Sequence, residues 1–391
     1  MKKMRKTISI ALLLVMSVAF IAACGDNGDT EAPQAPPPPA GNGDAAPVTA
    51  VGPEVGTLAE DVDHHGRRTY TIVYAHFQDS ILQQQMYEAY RNLESRFNFE
   101  LIRMSGQEDT EMFVTNLEVL LDRGDIDGFI IETTNAEQHP VLMRMNASGI
   151  PFINQFTEYF DADGRVITPT VGLPQHYVGH AAMTYLIDNR QTFWGDVDSD
   201  NFGVIGICFS VSPALYDRTQ GFLDAFRDAF PGNENVFYID TFAGGPAHWF
   251  SLEGGYEPTV QTIAANPHVT HWFVGGTVES YSAGAARAAE TLGRDDTMLV
   301  TTVGHPLIVD EWEAGYDGAK RAVMAISNYA YATPVILGLI ALIDGRATPE
   351  TLWPQHRADG DLAAVWPATF GIITRENYAS FLEEMETRYG P

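Results

Sequence analysis

Asp125-Ile126-Asp127-Gly128-Phe129-Ile130-Ile131-Glu132, followed by Ala147-Ser148-Gly149-Ile150-Pro151-Phe152-Ile153-Asn154, is the stretch that decides the fold. Residues 126–132 and 151–154 are short aliphatic runs without polar alternation, so both faces of each strand must be covered. The intervening residues 137–147 read as a helix. A strand, a crossover helix and a second strand of this kind form a parallel unit.

Working outward, the same alternation continues in both directions. Upstream, residues 69–77 read as a strand, and 80–97 as a helix with Leu82, Met86, Tyr90 and Leu93 near helical spacing. A strand over 99–104 and a helix over 110–123 lead into the opening stretch. Downstream, helices are predicted over 176–189, 216–230, 257–265 and 280–292, the last closed by Gly293. Strands are predicted over 202–209, 235–241, 271–275 and 298–303. Two successive βαβαβ halves predict an α/β protein with two doubly wound parallel sheets, in which ligands bind at the carboxyl ends of the strands.

The N-terminus has a different composition. Lys2, Lys3, Arg5 and Lys6 precede a charge-free run over 8–23, and Cys24 follows Ala22-Ala23. This is the layout of a secretion signal, and the run is shorter than the roughly 20 residues a membrane-spanning helix needs. Ile21-Ala22-Ala23-Cys24 resembles the bacterial lipobox, which implies cleavage after 23 and a lipid on Cys24. Residues 24–66 are rich in Pro, Gly, Ala and acids and predict a disordered, semi-stiff tether. The long apolar run at 334–343 meets Asp344 and reads as a buried helix.

The net charge of −28 argues against nucleic acid and anionic membrane surfaces as partners. Cys208, within an aliphatic strand, reads as a small buried hydrophobe. His64-His65 lies in the tether without a third ligand at useful spacing, so no metal is expected.

Several segments carry a family resemblance. The stretches 125–131 and 147–153 resemble consecutive strands of periplasmic sugar-binding proteins. Arg218-Thr219-Gln220-Gly221-Phe222 resembles a helix start in those proteins, and residues 266–273 resemble a strand entry. Ile372-Ile373-Thr374-Arg375-Glu376-Asn377-Tyr378 is similar to the C-terminal segment of arabinose-binding proteins. Taken in order over 68–385, these segments resemble type I solute-binding proteins. Repressors of the lactose-repressor family share that fold, but they carry a DNA-binding helix-turn-helix where this chain has a lipoprotein signal.

The resemblance implies two lobes joined by a multi-strand hinge, one over 66–173 plus 319–349 and the other over 174–318 plus 350–391. It further implies a monomeric receptor without a cofactor, which captures a small polar solute and passes it to the permease of an ATP-driven importer. Presentation of the ligand to a membrane kinase or chemotaxis receptor is the alternative. No nucleophile elbow, phosphate loop or His-Glu-x-x-His occurs, so no enzyme is expected.

Candidate ligand residues come from the loops after strands: His76, Phe77, Glu132, Asn154 and Gln155 in the first half, and Tyr216, Arg218, Thr277, Glu279 and His305 in the second. Planar amides and carboxylates exchange paired hydrogen bonds with hydroxyls, and an aromatic face covers a sugar's C–H side. Phe77, Phe156 and Trp249 are the aromatic candidates. Arg218 either grips the ligand or pairs with an acid to hold its helix start. Where the arabinose- and ribose-binding pattern places an Asp and an Arg, this chain has Asn154 and Tyr216. The usual Asn-Asp is replaced by Val278-Glu279 after Thr277, and the final Asp or Asn by Gly304-His305.

Overall fold

The computed structural model describes residues 63–132 and 138–390. The signal, Cys24 and most of the predicted tether lie outside these residues. The tether was expected to reach 66, but the folded part begins sooner. The Asp63 side chain accepts from the backbone N–H groups of His65 and Gly66, and buried His64 packs edge-on to Phe97 at 5.2 Å.

The first half runs β1 (Tyr70–His76), α1 (Ile81–Asn92), α2 (Glu94–Phe97), β2 (Phe99–Ser105), α3 (Thr110–Leu121), β3 (Gly128–Glu132), α4 (His139–Ser148), β4 (Phe152–Phe156) and β5 (Thr170–Gly172). The single helix expected over 80–97 is divided at Leu93. The second half runs α5 (Gln175–Asp188), α6 (Arg190–Trp194), β6 (Phe202–Cys208), α7 (Pro213–Ala229), β7 (Val236–Asp240), α8 (Leu252–Ala265), β8 (His271–Gly276), α9 (Glu279–Leu292) and β9 (Met298–Thr302). The chain finishes with α10 (Pro306–Glu313), β10 (Ala322–Ile326), α11 (Asn328–Ile343), β11 (Val365–Pro367), β12 (Phe370–Thr374) and α12 (Tyr378–Tyr389).

One parallel sheet has the order β11-β5-β4-β3-β1-β2, and the other β7-β6-β8-β9. Both reverse direction beside their first strand, which places a crevice at the carboxyl ends between β1 and β3 and between β6 and β8. The expected pair of doubly wound sheets is therefore present.

The sheets exchange chain three times: between β5 and α5, between β10 and α11, and between β11 and β12. The second and third crossings fall later than expected. β10 pairs antiparallel with β12 and bridges to Val303 beside β9, so residues 322–326 belong with the second sheet, not the first. Val365–Pro367 zips beside β5 in the first sheet, although 350–391 was expected in the second lobe. A three-residue strand ending in Pro has too little periodicity to be read from sequence.

The helix expected over 257–265 begins at Leu252, and Pro258 lies within it. Gly254-Gly255 lies within the helix, and its glycines are needed for helix packing. A Cβ on Gly255 would fall 2.1 Å from the Tyr281 carbonyl oxygen, and one on Gly284 the same distance from that of Leu252. The apolar helix expected from 334 likewise begins earlier, at Asn328. It packs between α1 and the first sheet, and its Leu339 and Ile343 fill the space over Gly128.

Candidate functional site

The carboxyl ends of the two sheets meet around Gln175, the first residue of α5. Its Nε2 donates to the carbonyl of Phe156, at the end of β4, at 3.5 Å. Its Oε1 accepts from Arg218 twice, at 3.0 Å from Nε and 2.6 Å from Nη2. Arg218 Nη1 donates to the carbonyl of Thr277, just past β8, at 2.6 Å. One amide thus links the ends of both sheets.

Helix packing fixes this geometry. Ser212 caps α7 by accepting from Leu215 N–H at 3.4 Å. Two glycines then let α5 and α7 touch backbone to backbone: Cβ atoms on Gly179 and Gly221 would lie 2.1 Å from the carbonyl oxygens of Arg218 and His176, respectively. Arg218 is consequently buried at 8% exposure. Desolvation depresses its pKa to about 10. Contrary to the acid pairing considered from sequence, its partners are an amide and a carbonyl.

On the first sheet, Glu132 is buried at the end of β3. Tyr74 Oη donates to its Oε2 at 2.9 Å, and Gln83 Nε2 to its Oε1 at 2.5 Å. Burial raises its pKa to about 7 against the opposing effect of these two bonds. Tyr90 Oη donates to Gln155 Oε1 at 2.6 Å. Asn154 Nδ2 donates to Thr168 Oγ1 at 2.7 Å. Tyr331 reaches in from α11, its ring edge-on to Phe156 at 4.6 Å. Burial pushes the Tyr331 phenol well up, and the Arg218 charge opposes that shift.

Several buried polar atoms of this region lack a partner among the described residues: Asn154 Oδ1, Gln155 Nε2, Thr277 Oγ1, Thr301 Oγ1, Thr302 Oγ1, His305 Nδ1 and Tyr331 Oη. Buried polar atoms are nearly always hydrogen-bonded, so these seven keep bonding capacity for a solute or an ordered water. Phe156 adds backbone strain at the same place, with φ at 71° in a residue that has a Cβ.

Of the residues singled out from sequence, Glu132, Asn154, Gln155, Arg218, Thr277 and His305 lie in this region. His305 precedes α10 at the N-cap position without a side-chain capping bond, and burial lowers its pKa to about 4. Glu279 is half-buried and occupied: its Oε1 accepts from Leu307 N–H at 2.9 Å, and burial raises its pKa to about 7.

The other three candidates are placed differently. His76 has both ring nitrogens engaged, Nδ1 with the Gln78 carbonyl at 2.6 Å and Nε2 with Arg103 Nε at 2.9 Å. Phe77 turns to the opposite face of its strand and packs edge-on against Phe113 in the core at 6.2 Å. Tyr216 is 46% exposed and leans on Tyr238 at the sheet edge. Sequence reading missed Gln175 and Tyr331. Tyr331 carries no distinct signal, since Asn328, Tyr329 and Thr333 on the same helix are polar as well.

Trp249 stacks on Phe242 at 5.3 Å, with Phe209 behind both, at the carboxyl ends of β6 and β7. Two open grooves lie outside the junction of the sheets. One, of about 570 Å³, is lined by Arg67, Tyr70 and Asp344, and the other, of about 390 Å³, by Gln85, Asn92 and Tyr329. No three His, Cys, Asp or Glu side chains gather as a metal site among the described residues.

No family model and no curated protein matches the sequence. Solved structures do match over nearly the whole folded part. An ABC transporter periplasmic solute binding protein from Actinobacillus succinogenes 130z, with bound D-allose, has a TM-score of 0.62 and 14% identity, covering 80% of this chain and 100% of its own. The fold is that of the periplasmic solute-binding proteins. Another solute binding protein, from Bacillus halodurans C-125 with bound myo-inositol, has a TM-score of 0.61 and 14% identity, covering 82% of this chain and 99% of its own. An arabinose binding protein from Geobacillus stearothermophilus has a TM-score of 0.60 and 15% identity, covering 80% of this chain and 99% of its own. The type I fold expected from the motifs is thus present, with two lobes built on the two sheets.

Proposed function

We propose that this chain is an extracytoplasmic solute-binding lipoprotein that captures a small polar, sugar-like solute between its two lobes and delivers it to an ABC importer. The observation that carries the reading is the cluster of buried, unpartnered polar atoms where the carboxyl ends of both sheets meet. Buried amide, hydroxyl and imidazole groups of this kind suit a polyhydroxylated ligand, whose hydroxyls both donate and accept. Solved proteins of the same fold hold D-allose and myo-inositol, which fits the same chemistry.

The lobes of this reading are residues 64–172 with 328–367, and 175–326 with 370–390. Glu132, Asn154, Gln155, Thr277, His305 and Arg218 contact the ligand, joined by Gln175 and Tyr331. His76, Phe77, Tyr216 and Glu279 support the lobes from outside the pocket. Binding shifts the lobes toward a closed arrangement through its greater affinity for that state. The receptor works as a monomer, and two or more acyl chains on Cys24 hold it at the membrane, because one chain binds only marginally.

Thermal-shift screening of the purified protein against pentoses, hexoses, polyols and sugar acids tests capture. A saturating ligand at a hundred times its Kd stabilises the fold by about 2.7 kcal/mol, which raises the melting temperature by several degrees. No shift with any small solute would remove the basis of the reading.

A further inference from the structure

Arg218 carries a positive charge that no acid among the described residues neutralises. Its three hydrogen bonds go to Gln175 Oε1 and the Thr277 carbonyl, both neutral. Nη1 and Nη2 each keep one N–H without an acceptor among the described residues. No acid pairs with it there either. Asp217, its neighbour in sequence, accepts from the His176 backbone N–H at 3.0 Å. Glu158 and Glu132 both lie near Tyr331, but neither bonds to Arg218, and burial shifts both toward their neutral forms.

A buried cation left without an anion is strongly unfavourable, whereas a planar guanidinium with two free N–H groups is matched by a carboxylate. Hydroxyl and amide groups without partners lie around it. Tyr331 Oη interacts electrostatically with Arg218, Thr277 Oγ1 belongs to the residue whose carbonyl Arg218 already holds, and Gln155 Nε2 precedes the Phe156 carbonyl held by Gln175. All three can donate. A neutral sugar satisfies these donors but leaves the charge uncompensated.

Building on the capture reading above, we propose that the cleft selects an anionic ligand: a polyhydroxylated carboxylic acid of monosaccharide size whose carboxylate docks on Arg218. The net charge of −28 does not oppose this. Exposed charges are screened over about 8 Å at physiological salt, and the desolvated guanidinium dominates the local field.

The test is isothermal titration of the full mature chain, stripped of bound solute by unfolding and refolding, with three matched pairs: D-galacturonate against D-galactose, D-gluconate against D-glucose, and D-ribonate against D-ribose. At least one acid is expected to bind about tenfold to a hundredfold more tightly than its neutral partner, as a charge-assisted bond in a dry site implies. Arg218→Gln should abolish that preference. Arg218→Lys, which keeps the charge and guards against a simple folding defect, should retain a weakened preference. If no acid binds more tightly than its neutral partner, the proposal is overturned, and neutral sugars that still bind leave capture standing. If no solute binds, capture falls too.

Discussion

Replacing Gly179 with Ala adds a single methyl group where α5 crosses α7, and its consequence can be worked out from distances. The new Cβ would lie 2.1 Å from the Arg218 carbonyl oxygen and 3.0 Å from its carbonyl carbon. These are backbone atoms, so no rotamer change relieves the overlap, and the helices have to separate by about 1 Å. Overpacking of this kind costs about 1–3 kcal/mol. Opposing it, Ala gains about 1 kcal/mol over Gly in helix propensity and in unfolded-chain entropy. The balance is a net loss of about 0–2 kcal/mol, or a fall of up to about 6 °C in melting temperature for a chain of this size.

The same displacement moves Arg218 from Gln175, so ligand affinity falls along with stability. Gly221→Ala, which meets the His176 carbonyl, should behave alike. Differential scanning calorimetry paired with ligand titration reads both effects. A melting temperature higher than that of the parent chain would refute the close crossing, because without the overlap helix propensity alone makes the Ala variant more stable.

Other expectations follow from the buried groups. Between about pH 4.5 and 7 the folded chain keeps protons on Glu132 and Glu279 that the unfolded chain releases, so each loses stability as pH rises. His305, depressed to about 4, opposes them over nearly the same window, leaving a net fall. The melting temperature of the ligand-free protein should therefore decline from about pH 5 to 7.5. Glu132→Gln should flatten that decline; an unchanged slope would show that Glu132 titrates normally. Phe77→Ala should cost about 3–5 kcal/mol in urea unfolding as a core truncation. Tyr216→Ala, at an exposed position, should change ligand affinity less than twofold by titration, or about 0.4 kcal/mol. Gln175→Ala should weaken binding about tenfold by releasing Arg218 from its double acceptor.

The sheets were legible in the sequence because fully covered parallel strands leave unbroken aliphatic runs, as in Phe129-Ile130-Ile131 and Val204-Ile205-Gly206-Ile207. The crossings were not. Val365–Pro367 is too short to show a period, and β10 is placed by its pairing with β12 and its bridge to Val303. Glu132 and Gln155 could be picked out as polar residues ending apolar strands. His76 and Phe77 part company because adjacent residues on a strand face opposite sides. Tyr74 and His76 share one face, while Phe77 turns to the other and enters the core over Phe113. Gln175 and Tyr331 escaped notice because their place depends on where the chain passes between lobes, which local sequence does not encode.

Hydrogen–deuterium exchange, with and without a saturating solute found by thermal shift, tests capture between the lobes most directly. Peptides covering 154–157, 175–178, 277–279 and 304–307 should gain protection together, because one ligand bridges the carboxyl ends of both sheets. Protection confined to a single lobe, or centred on the groove at Arg67 and Tyr70, would contradict it.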